Sequence, residues 1–311
     1  MAKRTRKGRS AEPTAGEVVR DFLGRGTGNL LRFDPVVRGR SDPEGIHQMR
    51  VNVRHLRSEM QVAGPVLRVR EHEALDRELK WLGGALGSLR DLDVLTSLFA
   101  FGSTLRVPTP PLVVQRLASQ RAEEVVHVTE VLRSKRYQRL LERLSDAVVT
   151  PPLRRVASAP ASRVLGPGLR AVIKDLTTAV EQLGDEPNLE QLHRVRIKVK
   201  RARYNCELAE AFLVEARAAA EELEKVQTIL GDLHDRVVAR AYVREVTRPL
   251  EMFGGPPLDD ATLATIDWLD TEIERLTGSW RDPVDLALAA LDPVRRALQI
   301  RSSEAPDVPV K

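Results

Sequence analysis

His193 to Glu207 reads HRVRIKVKRARYNCE, with six Lys or Arg and no acid before Glu207. On a helix advancing about 100° per residue, Val195, Val199, Ala202 and Cys206 form one narrow stripe. His193, Arg196, Lys200 and Arg203 line one edge of it. A helix that needs only solubility spreads its charges and mixes their signs. This one offers an apolar seam to a core and gathers cations beside that seam.

The pattern occurs twice. His47 to Met60 reads HQMRVNVRHLRSEM and aligns without a gap at an offset of 146 residues. His47, Arg50, Arg54 and Arg57 take the places of His193, Arg196, Lys200 and Arg203, and Met49, Val53, Leu56 and Met60 take those of the apolar seam. Farther on, LGSLRDLDV (86–94) matches LGDLHDRVV (230–238) at an offset of 144. Two correspondences in order, at nearly one offset, argue for internal duplication.

The 311 residues allow two domains, or one domain of two similar halves. Hydrophobic content of 42% suffices for cores, and aromatic content of 4% suits Leu, Val and Ala packed between helices better than a β-sandwich. The formal charge of +5 is modest but uneven: residues 1–10 hold five Lys or Arg and no acid. Local basic patches point to polyanion partners. Cys206 is the single cysteine, so an intrachain disulfide is excluded, and its apolar phase reads as a structural thiol. The sequence offers no bilayer-spanning apolar run and no signal-type segment, and the expected location is cytoplasmic.

In chain order, residues 1–15 read as a disordered basic arm. Helical patterns follow over 17–33, 44–61, 71–99, 113–133 and 137–149, making a first bundle half at 16–149. The Pro/Gly-rich stretch 150–168 reads as a linker. The order then repeats over 169–183, 189–210, 211–246, 259–276 and 283–298, making a second half at 169–300, with 253–257 a Gly/Pro loop and 301–311 a flexible tail. No GxGxxG, P-loop or HExxH signature occurs. The fold class expected is all-α: two similar antiparallel helical bundles with internal pseudo-two-fold symmetry.

Arginine presents a planar, permanently charged fork of donors, and lysine a compact charge. Four such groups over three turns span about 15 Å, so two facing helices would make a long basic surface or tunnel. A chain of phosphates fits that shape through charge-assisted contacts. His47 and His193 begin the stripes and could donate to phosphate; His55 lies off the stripe and reads as a surface residue. Asp91 and Asp235 recur in the second motif and read as carboxylates that orient the arginine forks. Arg90 and His234, at matched positions, are possible additional contacts. Gly87 and Gly231 read as allowing close helix packing. The histidines lack metal-ligand spacing, so no metal or other cofactor is expected.

These two half-signatures, IHQMRVNVRHLRSEM with LGSLRDLDVL and LHRVRIKVKRARYNCE with LGDLHDRVV, closely resemble the CHAD family, the conserved histidine α-helical domain. The resemblance implies two helical bundles about a pseudo-two-fold axis, with a basic central cavity that binds inorganic polyphosphate, and association with polyphosphate granules. It carries the family's histidines to His47 and His193, and its basic residues to Arg50, Arg54, Arg57, Arg196, Lys200, Arg201 and Arg203. The pattern departs at His55, where a second basic residue often follows, and at Ala202, where leucine is common. No ExExK signature of a CYTH domain occurs, so a stand-alone, non-catalytic binding protein is expected. Weak binding to nucleic acid or other polyanions is compatible with the charge, although few aromatic residues are available for stacking on bases. Nucleic-acid binding and metal-assisted phosphoanhydride hydrolysis are the rival readings. A scaffold using the stripes for internal salt bridges is a third. Polyphosphate length preference and oligomeric state are not legible.

Overall fold

The computed structural model describes residues 12–40, 42–252 and 258–303. Of the basic arm expected over 1–15, residues 1–11 lie outside the described residues, as do the loop at 253–257 and the part of the expected 301–311 tail beyond 303. Residues 12–15 are not a free arm, since Thr14 bridges to Pro160 and Ala15 is fully buried, and α10 continues through Ser303. Among the described residues there are ten α-helices and one 3-10 turn. They are α1 (Ala15–Arg40), α2 (Pro43–Ala63), α3 (Val69–Thr104), α4 (Pro111–Arg133), α5 (Lys135–Val149), α6 (Ala161–Glu181), α7 (Leu189–Ala209), α8 (Ala216–Met252), α9 (Asp260–Thr277) and α10 (Arg281–Ser303). The described residues contain two isolated β-bridges, Thr14 with Pro160 and Leu67 with Leu153, and no strand. The protein is all-α.

Local chemistry fixes where the two basic helices begin. Asp42 caps α2, its Oδ2 accepting from the Gly45 N–H at 2.9 Å, with Pro43 in the first turn. Asn188 caps α7 in a reciprocal box with Gln191. The caps lie 146 residues apart, so the sequence offset extends to the helix starts.

The seams then bury as their periodicity requires. Met49, Val53, Leu56 and Met60 on α2, and Val195, Val199, Ala202 and Cys206 on α7, are at most 1% exposed. They belong to one core cluster drawing on all ten helices, so the halves share an interior. A smaller cluster at the far end joins Leu98 and Phe99 of α3, Val113 and Leu117 of α4, Val243 of α8 and Leu269 of α9. Neighbour relations repeat: α1 packs on α2, α2 on α3, α3 on α4 and α5 on α1, while α6 packs on α7, α7 on α8, α8 on α9 and α10 on α6. We propose that an approximate two-fold relates 16–149 to 169–300, running between α2 and α7. At that crossing the buried Asn205 donates from Nδ2 to Ser58 Oγ at 2.9 Å.

Two expected boundaries move. Helix α1 runs through Pro35 to Arg40, and α6 starts at Ala161 and runs through Pro167, shortening the expected linker; a 3-10 turn occupies Arg155–Ser158. Proline removes one intrahelical hydrogen bond. Both prolines lie on exposed faces, where water can take the freed carbonyl, so neither helix ends there.

Helices α1 and α2 meet closely at Gly26, whose carbonyl accepts from the buried Asn52 side chain at 2.6 Å. A Cβ at Gly26 would overlap the fully buried Leu56 side chain, while one at Gly24 would meet nothing within 4 Å. Gly26→Ala is therefore expected to lower stability by about 1–3 kcal/mol through overpacking. Gly24→Ala should raise it by up to about 1 kcal/mol through helix propensity. Urea unfolding of the pair checks both signs, and equal effects would contradict this packing.

Candidate functional site

Because α2 and α7 turn their seams into the shared core, their flanking side chains meet beside it. The long helices α3 and α8 pack on them and close a cavity of about 350 Å³. Its lining includes His47, Arg50 and Arg54 from α2, Arg90 and Asp91 from α3, Arg196 and Lys200 from α7, and Gln227, Asp232, His234 and Asp235 from α8. Three of the four helices, α2, α3 and α7, thus aim five permanent or ordinary cations into one space.

Most of these cations make no close ion pair, although Asp91, Asp232 and Asp235 share the cavity. Arg50 reaches Asp91 Oδ1 through Nη2, and Gly83 O through Nη1, each at 3.4 Å. Among the described residues, Arg54, Arg90, Arg196 and Lys200 make no ion pair within 4.0 Å. The Nε–H groups of Arg54 and Arg196 are buried and have no protein acceptor there. Asp232 pairs with Arg236 at 3.1 Å.

Crowding and burial shift the titrations. Burial, reinforced by Arg196, Arg54 and Arg50 and opposed by Asp235, brings the Lys200 ammonium down to about 7. Burial lowers Arg50 and Arg196 from the usual guanidinium value, against the pull of Asp91 and Asp235 respectively. Burial also raises Asp235, opposed by Arg196 and Lys200. His234 falls to about 4, mainly through burial and then through Arg196. His47 and His193 shift down, first through burial. The histidines are therefore neutral donors and acceptors in the unliganded protein. His193 Nδ1 lies 3.2 Å from His234 Nδ1, so one ring carries the Nδ1 proton and the other accepts it. His193, expected in the site, does not line this cavity; it touches His234, which does.

The expected site residues sort into two groups. His47, Arg50, Arg54, Arg196 and Lys200 converge, together with Arg90, His234, Asp91 and Asp235. Arg57, Arg201 and Arg203 lie outside this lining. Arg57 pairs with Asp76 at 2.9 Å, and Arg203 pairs with Glu207 at 2.8 Å and Glu224 at 3.0 Å. Arg201 is exposed. The sequence reading did not single out Gln227, Thr228 or Asp232; Gln227 and Thr228 lie on α8 about two turns before His234, where extending the helical face of LGDLHD backwards finds them, and Asp232 lies within that motif.

Three expectations are corrected. His55 is not a surface residue. It packs on Tyr204 with ring centroids 3.9 Å apart and sits 3.4 Å from Glu207, while burial and Arg203 bring it to about 4. Gly87 does not serve close helix packing, since a Cβ there would strike the Arg50 guanidinium. Gly231 would meet nothing within 4 Å and lines the cavity. Both glycines leave room at the site.

With this geometry in place, comparison with known proteins is direct. The CHAD domain profile matches residues 22–244. The chain belongs to the CHAD domain family. Two curated relatives from Mycobacterium tuberculosis, "Uncharacterized protein MT2285" (strain CDC 1551 / Oshkosh) and "Uncharacterized protein Rv2226" (strain ATCC 25618 / H37Rv), are each 31% identical over 226 residues. That match covers 69% of this chain and 42% of each relative, so the chain spans less than half the length of those proteins. Among solved structures, PptA from Streptomyces chartreusis is similar with a TM-score of 0.68 at 19% identity, covering 88% of this chain and 99% of that one. The CHAD domain from the plant Ricinus communis is similar with a TM-score of 0.66 at 24% identity, covering 88% and 95%. At those identities the likeness is one of fold. Among the described residues no helix is long and apolar enough to cross a membrane, and no three His, Cys, Asp or Glu side chains group as a metal site.

The Lys200 shift has a measurable consequence. Above about pH 7 the free protein holds a neutral amine there, and an anion in the cavity favours the ammonium. Anion binding is expected to take up a proton near pH 8, and affinity should fall as pH rises from about 6 to about 9. Lys200→Arg removes the titrating group and should flatten that difference. Calorimetry in buffers of different ionisation enthalpy measures the uptake. Equal uptake by wild type and Lys200→Arg would contradict this role.

Proposed function

We propose that this chain binds inorganic polyphosphate in the cavity between α2, α3, α7 and α8, without hydrolysing it. The observation that carries this reading is the set of cations from three helices, Arg54 on α2, Arg90 on α3, and Arg196 and Lys200 on α7, that line one cavity with no ion pair among the described residues. Holding like charges together in a partly buried space is unfavourable unless an anion neutralises them. A phosphate chain supplies repeated anionic oxygens with nothing else to accommodate, and the arginine forks suit them. Membership of the CHAD family agrees, as do the paired signature motifs. Asp91 holds Arg50, and the His193–His234 contact sets the tautomers of both rings. Residence at polyphosphate granules follows from this reading as a proposal.

Nucleic acid fits less well, because a sugar and base would have to enter with each phosphate and the lining offers no Phe, Tyr or Trp for stacking. The carboxylates nearest the cations serve arginines: Asp91 pairs with Arg50, Asp232 with Arg236, and Asp235 interacts with Arg196 and Lys200. We therefore expect no phosphate release from polyphosphate or tripolyphosphate in the presence of Mg²⁺ or Mn²⁺. Many turnovers that vanish in Asp235→Asn would overturn the non-catalytic reading.

The binding test is titration of fluorescent polyphosphate, with circular dichroism as the folding control. Arg54→Ala and Arg196→Ala should each weaken binding by about 1.5–3 kcal/mol through loss of a charge-assisted contact. Arg57→Ala and Arg203→Ala should change it less, because those side chains are held by Asp76, Glu207 and Glu224 outside the lining. Binding should weaken with salt as counterions compete. An unchanged affinity in folded Arg54→Ala/Arg196→Ala, or a larger loss in Arg203→Ala, would sink the assignment.

A further inference from the structure

We propose that Lys200 is a covalent modification site, acylated by small acyl phosphates whose phosphate is held by the surrounding arginines. The proposal rests on the anion-binding reading of the cavity and adds a reaction to it. Acyl phosphates combine a dianionic head with an electrophilic carbonyl carbon, and the cavity pairs receptors for the head with an acceptor for the acyl group.

Lys200 differs from the other described lysines. Lys198 is tied to Asp175 at 2.5 Å and Lys225 to Glu222 at 2.7 Å. Lys80, Lys135 and Lys174 are exposed on outer faces. Lys200 is half-buried, lines the cavity and has no ion pair. Its surroundings are Arg50 and Arg54 on α2 and Arg196 on its own helix, with Asp235 on α8 as the opposing charge. Relief of such crowding falls to the lysine, because a guanidinium does not give up its proton in proteins. The shift of Lys200 to about 7 agrees with that argument. A neutral amine is a nucleophile, whereas an ordinary ammonium near neutral pH is not. The arginines also concentrate the dianionic reagent and stabilise the phosphate as it leaves.

The step balances without another reactant. The Lys200 Nζ lone pair attacks the acyl carbon and forms the C–N bond. The bond from that carbon to the bridging oxygen breaks, and phosphate leaves with the electron pair. The nitrogen loses its proton to phosphate or solvent, leaving a neutral amide. The product can no longer become cationic, so acylation removes one charge from the proposed polyphosphate site and weakens it for long anions. Modification and binding thus oppose each other at one side chain.

The test uses the full chain and acetyl phosphate near neutral pH, with peptide mass spectrometry following acetylation at each lysine. Lys200 should label at least about tenfold faster than Lys80 or Lys174, from its larger neutral fraction and the phosphate-binding arginines beside it. Saturating tripolyphosphate should suppress labelling at Lys200 and leave Lys80 unchanged. An uncharged acetylating reagent should show a smaller preference for Lys200. Acetylated protein should bind polyphosphate more weakly than untreated protein. Lys200 labelling no faster than Lys80, in protein that binds tripolyphosphate, would overturn the proposal and leave the binding reading intact. Labelling of Lys200 that tripolyphosphate does not slow would overturn recruitment by the arginines. Protein that binds no tripolyphosphate and labels Lys200 no faster than Lys80 would remove both readings.

Discussion

Like charges held in a confined space are the constraint on which the site depends. The apolar seams of α2 and α7 are nearly inaccessible to solvent, and burying them fixes the rotation of both helices. That rotation leaves Arg54, Arg196 and Lys200 no choice but to face a common cavity with Arg50 and Arg90. The hydrophobic core thus holds the cations where their own repulsion would not put them. Glycine assists at two places: Gly87 leaves space for the Arg50 guanidinium, and Gly231 leaves the opposite wall open.

The consequences are chemical as well as electrostatic. Arginine cannot relieve the crowding by losing its proton, so in the proposed site Lys200 is the group whose charge would respond to a bound anion. The histidines respond differently. Burial and neighbouring cations hold His234 neutral, and its contact with His193 constrains both tautomers. The ring pair therefore supplies fixed polarity, and Lys200 supplies the variable charge.

Much of this was legible in the sequence because it depends on helical phase. The spacing of Val195, Val199, Ala202 and Cys206, repeated in the first half, gave the buried seams, and the stripes beside them gave four cavity cations and His47. Phase alone did not separate Arg54 from Arg57, or Lys200 from Arg203. That division depends on Asp76 and Glu224, which reach the outer arginines from α3 and α8. His55 was misplaced for the same reason: Tyr204 covers it from α7, a contact between residues far apart in the chain. The Pro/Gly content of 150–168 misled in the other direction, because Pro167 is exposed and α6 runs through it.

The central claim is that the cavity between the four helices, and not the outer basic surface, receives the phosphate chain. A crystal structure of the protein soaked with tripolyphosphate measures this directly. The account requires phosphate density bounded by Arg54, Arg90, Arg196 and Lys200, with Arg57 still on Asp76 and Arg203 still on Glu207. Ordered phosphate confined to Arg57, Arg201 or Arg203, with none in the cavity, would contradict it.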